Sequence, residues 1–277
     1  MKTLWLALLL LLSYTAPAQY YYKDIVGTRE TAQMIAAYKN NKVTRVVVNS
    51  YDANNTRTED FLVEQVFAPQ ANMLRTTSRS AGQGASSLSS MADAAGRVVK
   101  TIDSTENMVS TTTYTYDADG KLQHMISNSK DTANKLNETE EHIWQYQNGQ
   151  VYQMLRIINK LDTTYVHFKL DEKGNVIEEQ SIRRGKKADP VYYYYDATNR
   201  LTDIVRYNNK AKRLLPEYMF EYSPANQVIQ KITVPSNSSD YLIWRYQYDA
   251  NGLKIREAIY DKYKALNGKI EYQYVRG

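Results

Sequence analysis

The segment Tyr114-Thr-Tyr-Asp-Ala-Asp-Gly-Lys-Leu122 decides the fold, because the phrase that begins at its second tyrosine recurs along the chain. Four further copies share its pattern: Leu170-Asp-Glu-Lys-Gly-Asn-Val176, Tyr195-Asp-Ala-Thr-Asn-Arg-Leu201, Tyr222-Ser-Pro-Ala-Asn-Gln-Val228 and Tyr248-Asp-Ala-Asn-Gly-Leu-Lys254. We call the first residue of each copy the anchor; less regular copies have anchors at Phe67, Ala92, Tyr146 and Tyr274. Successive anchors are 24 to 30 residues apart. A repeat of this period predicts an array of similar supersecondary units.

Each unit is predicted to be a β-hairpin, because the residues before the anchor alternate. Large apolar residues such as Tyr248 and Tyr246 occupy the anchor and the position two before it, and polar residues such as Gln247 stand between them. This period of two is typical of a half-buried strand. The aspartate after the anchor and the glycine or asparagine three residues later are typical of a tight turn, since glycine and asparagine tolerate positive φ.

The number of hairpins predicts a large all-β fold. Eight tight turns flanked by strands, with the first and last strands, give about 18 strands, whereas twisted open sheets rarely exceed about ten. We therefore expect a long antiparallel β-hairpin repeat meander, coiled, wrapped on itself or closed, with its aromatic face inside. Residues 76–90 are rich in Ser, Gly and Ala, and we interpret them as a flexible loop between two strands.

The N-terminal residues predict export. One lysine, an apolar run from Leu4 to Leu12 and the triplet Ala16-Pro17-Ala18 are typical of a signal peptide, which we place at residues 1–18. The run is too short for a membrane span, which needs about 20 residues. Residues 19–277 are predicted to form a single domain. It has a short N-terminal capping helix at about 28–40, started by Thr28, and repeats at about 60–277.

Composition excludes several classes of site. The chain has no cysteine, so disulfides, thiolate metal sites and a cysteine nucleophile are impossible. The formal net charge is +5 and the two signs are interleaved, without the continuous basic stripe of a nucleic-acid-binding protein. The basic cluster Arg183-Arg184-Gly-Lys186-Lys187 is interpreted as a solvated loop. We predict no catalytic residue, no metal site, no cofactor and no nucleic-acid partner.

The repeated phrase resembles the YD repeat of the Rhs and teneurin-like proteins. The best copies are Tyr114-Thr-Tyr-Asp-Ala-Asp-Gly-Lys-Leu122 and Tyr246-Gln-Tyr-Asp-Ala-Asn-Gly252, and the resemblance covers about residues 60–277. In that family the repeats coil into a large β-sheet shell. The resemblance implies the hairpin unit, an exported location and a mostly non-catalytic role.

Candidate ligand-binding residues come from the aromatic side chains that the strand alternation predicts to face the interior of the fold. Aromatic rings stack on sugars, and tyrosine adds a hydroxyl for hydrogen bonding. On this ground Trp144, Trp244, Tyr193 and Tyr246 are the candidate ligand platform, with core packing as the alternative role. The acidic runs Glu138 to Glu141 and Glu178-Glu179 are interpreted as solvated faces.

Three hypotheses for function follow. The first is a non-enzymatic exported β-repeat scaffold or binding protein of the cell envelope, located in the periplasm, at the cell surface or outside the cell, that contacts a glycan or a protein partner. The second is a glycan-active enzyme that uses carboxylates in a concave face. The third is an outer-membrane β-barrel, which an even strand number would fit, although return strands such as Val176-Ile-Glu-Glu-Gln-Ser181 lack a clean apolar face for lipid. No membrane-spanning segment is expected after signal removal.

Overall fold

A computed structural model describes residues 20–59, 61–80, 84–235, 238 and 240–277. The predicted signal peptide at residues 1–18 lies outside the described residues. The elements, in chain order, are α1 (Lys23–Asn40), β1 (Val43–Asp52), β2 (Phe61–Ala68), β3 (Met73–Ser80), β4 (Gly84–Ala92), β5 (Val98–Ser104), β6 (Met108–Tyr116), β7 (Leu122–Asp131), β8 (Leu136–Gln147), β9 (Gln150–Ile158), β10 (Asp162–Leu170), β11 (Val176–Arg183), β12 (Lys186–Lys187), β13 (Val191–Tyr195), β14 (Leu201–Asn208), β15 (Arg213–Tyr222), β16 (Val228–Thr233), β17 (Leu242–Tyr248), β18 (Lys254–Tyr260) and β19 (Leu266–Arg276).

The sheet closes on itself. Consecutive strands pair antiparallel, and β1 pairs with both β2 and β19, with Val46 opposite Tyr274 and Val47 opposite both Glu64 and Gln273. The two-residue β12 pairs with β11, which also pairs with β13. The result is a closed antiparallel barrel of 18 strands with one extra strand. It confirms the all-β prediction and the strand number, and closure removes the free edges of an open sheet.

A bulge beside each regular tight turn sets which side chains face inward. The register shifts by one residue between Thr115 and Tyr116, and the same shift precedes Tyr195 and Tyr222. The anchor therefore lies opposite the residue six positions later, and both face the barrel interior. In the turn itself, Gly120 has φ 79° and Asn199 has φ 63°, which explains why glycine or asparagine occupies this position.

The hydrophobic core lies inside the barrel in two clusters. One contains Val46, Val48, Phe67 and Ile270 with Ile35 of α1, and the other centres on Trp144, Met154, Phe168, Val191, Tyr193 and Ile204. The alternation of the strands thus turns the core residues inward, while the outer face carries polar residues together with exposed apolar ones such as Leu62 and Val109.

Helix α1 lies in the lumen of this barrel. Near its start, Asp24 contacts His142 of β8, and near its end, Tyr38 donates a hydrogen bond to Gln65 of β2. Both partners are inward-facing residues of strands far apart around the closed sheet, so the helix crosses the interior. No helix in the described ranges has a stretch long and apolar enough for a membrane span.

The structure differs from the sequence-based expectation in two places. The helix begins at Lys23, not near residue 28, because the wall of the barrel supplies the capping group described below; Thr28 instead bonds the Asp24 carbonyl oxygen within the helix. Residues 76–90 are not a loop between strands, since most of them belong to β3 and β4. The hydroxyls of Ser78 and Ser86 pair across these strands at 2.7 Å, which stabilises a serine-rich strand pair.

Candidate functional site

A ladder of tyrosine hydroxyls joins each hairpin to the one before it. In six units, the hydroxyl of the anchor tyrosine donates a hydrogen bond to the main-chain carbonyl oxygen of the residue six positions after the preceding anchor. The pairs are Tyr116 with Val98, Tyr146 with Leu122, Tyr195 with Val176, Tyr222 with Leu201, Tyr248 with Val228 and Tyr274 with Lys254, at 2.6 to 2.9 Å. Their rings are half-buried on the inner face. The anchor tyrosine therefore connects consecutive repeats, which explains why tyrosine is preferred there over phenylalanine.

Cationic side chains of the turns cover several of these rings. The guanidinium of Arg97 lies 5.0 Å from the ring centroid of Tyr116, and that of Arg200 lies 4.8 Å from the ring centroid of Tyr222. Each cation comes from the turn of the preceding unit. Such cation–π contacts supplement the hydroxyl ladder at the same junctions between repeats.

The recurrent aspartates close their own turns. Asp196 accepts hydrogen bonds from the backbone N–H groups of Thr198 and Arg200, and Asp249 accepts them from Asn251 and Leu253. The N–H of Arg200 is the main cause of the lowered pKa of Asp196. These carboxylates are engaged within single turns, as the turn chemistry of the sequence predicts.

The predicted ligand platform lies on the inner face. Trp144 and Tyr193 are each 2% exposed, and the Trp144 ring stacks on Phe168 with centroids 5.4 Å apart. Trp244 and Tyr246 of β17 are half-buried, and the Lys254 ammonium lies 4.7 Å from the Tyr246 ring centroid. Protein atoms thus cover the faces of Trp144 and Tyr193. A ligand-binding role for the four residues stays a prediction.

Glu179 of β11 holds the start of α1. This carboxylate is 3% exposed and accepts hydrogen bonds from the backbone N–H groups of Tyr21 and Tyr22, at 2.9 to 3.0 Å, and from the Tyr193 hydroxyl at 2.7 Å. Burial raises the pKa of Glu179, while these three donors oppose the rise. Tyr21 and Tyr22 directly precede α1, where N–H groups lack partners within the helix and favour a negative charge. Glu179 therefore acts as a helix cap supplied by the barrel wall.

Aromatic rings surround this cap. The ring of Tyr20 meets those of Tyr193 and Tyr218 edge-on at centroid distances of 6.1 and 6.0 Å, and the ring of Tyr22 meets Tyr193 at 5.6 Å. Edge-on packing at such distances is favourable for aromatic pairs. The three consecutive tyrosines 20–22 are thus packed inside the lumen.

A buried ionic chain adjoins the cap. His142 is 3% exposed, and its two ring nitrogens contact Asp24 Oδ2 at 2.5 Å and Glu140 Oε1 at 2.7 Å. Glu140 also accepts two hydrogen bonds from Arg156, at 2.8 and 2.7 Å. Because an ionised carboxylate only accepts hydrogen bonds, both ring nitrogens of His142 must donate, and the imidazole is a cation. The chain ties α1, through Asp24, to β8 and β9.

The ionic chain sets the protonation of its members. Burial on its own would lower the pKa of His142, but the carboxylates of Asp24 and Glu140 outweigh burial and raise this pKa to about 9. For Glu140, burial would raise the pKa, and the hydrogen bonds from His142 and Arg156 instead lower it to about 2. Both groups are therefore charged at neutral pH.

A further inward carboxylate lies on the opposite side of the lumen. Glu257 of β18 is 7% exposed, and it contacts the Lys254 ammonium at 2.6 Å and the Tyr272 hydroxyl at 2.5 Å. Burial, followed by the nearby charge of Glu257, raises the pKa of Tyr272 well above its usual value. Each of the three inward glutamates, at positions 140, 179 and 257, therefore has partners within the protein.

The sequence-based analysis missed these residues. It treated Glu178-Glu179 and Glu138 to Glu141 as solvated faces, whereas Glu179 is buried and Glu140 points inward. The outward neighbour Glu178 does pair with Lys169 at 2.7 Å. The bulge next to the turn shifts the alternation by one residue. If every second residue after the anchor is assigned to the inner face, the residues of the return strand beyond the bulge are therefore assigned to the wrong face. The repeat could have identified two of these glutamates as equivalent, since Glu179 and Glu257 both stand nine residues after an anchor.

The outer surface of the barrel carries polar side-chain pairs as well as exposed apolar side chains such as Leu62 and Tyr165. His124 contacts Glu141 at 2.5 Å across β7 and β8, and Arg245 donates to Gln230 at 3.1 Å across β16 and β17. Gln230 in turn donates to Glu221 at 2.7 Å. Charged and amide side chains thus pair along the outside of the sheet.

Two pockets in the described part of the chain are small. One, of about 240 Å³, lies between the end of α1 and the turn that contains Asp93 and Gly96. Another, of about 170 Å³, lies on the outer face beside Arg245 and Arg256. Both are below the roughly 300–1,000 Å³ of typical small-molecule sites.

No protein-family model and no curated protein matches this chain. Two solved structures with similar arrangements are a porin-like protein from Bacteroides uniformis and the Photorhabdus luminescens Tc holotoxin pore. The former is 10% identical with a TM-score of 0.41, over 85% of this chain and 97% of that one. The latter is 13% identical with a TM-score of 0.35, over 78% of this chain, which spans only 12% of that protein. At these TM-scores the similarity assigns neither a family nor a function.

Proposed function

We propose that this chain is an exported, non-enzymatic β-barrel scaffold of the cell envelope that works surrounded by water and binds a glycan or a protein on its outer surface or loops. The observation that carries the proposal is the presence of charged and amide side chains on the outer face of the strands, where they stand among exposed apolar side chains. A barrel that crosses a lipid bilayer needs a continuous apolar outer band about 25 Å tall.

Individual residues support an aqueous surrounding. On the outer face, Glu141 lies in the middle of β8 and contacts His124, and Arg245 lies in the middle of β17. The pair Lys169–Glu178 stands on the same face beside a tight turn. A charged side chain on the lipid face near the midplane costs about 2–4 kcal/mol, and several of them would oppose insertion. Inside, Val46, Met154 and Ile204 are fully buried, which is the arrangement of a water-surrounded core.

The environment of the inward carboxylates supports a role without catalysis. Glu179 caps α1, Glu140 bridges His142 and Arg156, and Glu257 bridges Lys254 and Tyr272. These contacts are the ones that hold the helix and strands together. A glycan-active enzyme would need two carboxylates that face each other about 5–10 Å apart across an open cleft, and here α1 occupies the concave interior.

An outer-membrane β-barrel is the second candidate, because the barrel is closed and has an even number of main strands. Cell fractionation separates the two. The proposal expects the full chain, after export, to leave the membranes on an alkaline carbonate wash and to stay monodisperse without detergent. Retention in washed membranes with strict dependence on detergent would favour the integral barrel.

Paired substitutions sharpen this test. Replacing Lys169 and Glu178 together by leucine should lower solubility in water if their face is hydrated. In a lipid-facing site, the same change would improve membrane insertion. As a matched control, Tyr194→Leu on the same outer face changes no charge.

The glycan-active alternative is tested on the exported protein with a glycan array, followed by hydrolysis assays on any glycan that binds.

A further inference from the structure

We propose that one rim of the barrel docks on an anionic phospholipid surface. The rim is formed by three neighbouring connections at the same end of the barrel, residues 159–162, 183–190 and 209–213, which we call the basic rim. Its basic residues are Lys160, Arg183, Arg184, Lys186, Lys187, Lys210, Lys212 and Arg213, and its acidic residues are Asp162 and Asp189. All eight basic residues are exposed.

The fold concentrates charge that is dispersed along the chain. Eight basic and two acidic residues give the basic rim a formal charge of +6, whereas the whole chain carries +5. The connections adjoin because β10 pairs with β9 and β11, and β14 pairs with β13 and β15. Arg183 and Arg184 both reach Asp162, which joins the first two connections directly.

The tight turns at the opposite end of the barrel contain more acidic than basic residues. The turns at residues 93–97, 117–121, 171–175, 196–200 and 249–253 contain seven acidic and four basic residues, a formal charge of −3. Lys39, Lys42 and Arg276 also lie at that end and offset this acidic excess, so the net positive charge of the barrel is concentrated at the basic rim. Near a negatively charged surface, this concentration of charge orients the molecule with the basic rim towards the surface.

Exposed leucines within the basic rim favour lipid over a soluble polyanion. Leu161, at the tip between Lys160 and Asp162, is 90% exposed, and Leu214, next to Arg213, is 45% exposed. Isolated exposed leucines are common, but Leu161 lies among cations at a loop tip, and Leu214 follows Arg213 at the start of β15. Lipid headgroup phosphates would take the cations while the leucines reach the acyl boundary, a combination typical of peripheral membrane binding. An anionic polysaccharide offers no apolar partner for them.

This inference rests on the proposed function only in requiring an envelope protein whose strands face water. A detergent-independent protein that ignores vesicles would overturn the docking surface and leave the proposed function standing. A protein that inserts irreversibly into vesicles of any charge would overturn both.

The test is co-sedimentation of the exported chain with vesicles. We expect binding to phosphatidylcholine vesicles that contain about one third phosphatidylglycerol, little binding to pure phosphatidylcholine, and release at high salt. Equal binding to both vesicles, or binding to soluble dextran sulfate without binding to vesicles, would overturn the proposal.

Two triple variants with equal loss of charge separate the rims. The variant K186Q/K187Q/R213Q in the basic rim should lower the vesicle partition coefficient about tenfold or more. The variant K39Q/K173Q/R276Q, at the opposite end, should change it less than about twofold. Equal effects of the two variants would mean that net charge alone acts, and would contradict a docking surface.

The variant Leu161→Ser tests the apolar contribution. This substitution should weaken the binding that persists at intermediate salt. All the substituted side chains are exposed, and circular dichroism checks folding; if a variant fails to fold, the salt release and vesicle selectivity of the unmodified chain decide.

Discussion

The hydroxyl of Tyr195 donates a hydrogen bond of 2.9 Å to the carbonyl oxygen of Val176, nineteen residues earlier in the chain. The same relationship recurs between consecutive repeats, from Tyr116 with Val98 to Tyr274 with Lys254. The same hydrogen-bond geometry therefore links neighbouring hairpins on the inner face of the sheet. The repeat phrase specifies this link as well as the turn, since the anchor hydroxyl and the acceptor carbonyl belong to the same phrase in adjacent copies.

Removing one hydroxyl of the ladder should weaken the barrel measurably. We expect Tyr195→Phe or Tyr222→Phe to lower the free energy of unfolding by about 0.5–1.5 kcal/mol, because each loses one hydrogen bond without changing ring packing. Urea unfolding followed by tryptophan fluorescence measures the change. Tyr194→Phe is the control, since Tyr194 is half exposed on the outer face, and its loss should stay within about 0.5 kcal/mol. Equal losses for Tyr194 and Tyr195 would contradict the ladder.

Adjacent glutamates should respond very differently to the same substitution. Glu179→Gln should destabilise the protein by about 1–3 kcal/mol, because the amide cannot accept all the hydrogen bonds that the buried carboxylate accepts from Tyr21, Tyr22 and Tyr193. Glu178→Gln breaks only an outer pair with the largely exposed Lys169, and should cost less than about 0.5 kcal/mol. Hydrogen exchange should also show faster amide exchange in residues 21–26 for the first variant only. A reversed order of the two effects would refute the cap.

Stability should fall on the alkaline side because of His142. The pKa of His142 is about 9 in the fold and about 6.5 in an unfolded chain, so its contribution is complete below about pH 6.5 and lost as pH rises through 9. The full contribution is about 3 kcal/mol. We therefore expect the unfolding free energy of the native protein to decrease between pH 6.5 and 9.5 more steeply than that of His142→Gln. Parallel curves for the two proteins would disprove the cationic imidazole.

Glu140 predicts an acid limit from the same ionic chain. Its pKa in the fold is about 2, below the ordinary value of about 4.3, so its contribution is present above pH 4.3 and lost as pH falls towards 2. Glu140→Gln should flatten the stability curve between pH 4.5 and 2. Glu138→Gln, an exposed neighbour two residues away, serves as the control and should leave the slope unchanged.

The regular parts of the fold follow from the sequence because they depend on local chemistry. Asp117 and Gly120 identify a turn, and the alternation through Tyr114 and Tyr116 identifies the strand before it, wherever the hairpin lies. The pairing of β1 with β19 could not be deduced, because it joins residues such as Val47 and Gln273 from the two ends of the chain and depends on accumulated twist.

The helix cap was beyond sequence reasoning for a different reason. Glu179 and Tyr21 are 158 residues apart, and their contact depends on both barrel closure and the bulge in the β10–β11 hairpin. The strands β3 and β4 were missed because their serine-rich composition is typical of a loop. In the structure, hydroxyl pairs such as Ser78–Ser86 stabilise them as strands. Local patterns thus predict the elements, and long-range contacts assemble the interior.

The most direct test of the account is a disulfide across the closing seam, in a chain that has no natural cysteine. Val47 of β1 lies opposite Gln273 of β19 on one side and opposite Glu64 of β2 on the other. The pair V47C/E64C should oxidise in an open or a closed sheet and is the control. Closure predicts that V47C/Q273C oxidises equally well, seen as a mobility shift on non-reducing gels, in a protein of unchanged fold. Efficient oxidation of the control pair without oxidation of V47C/Q273C would show that the sheet is open.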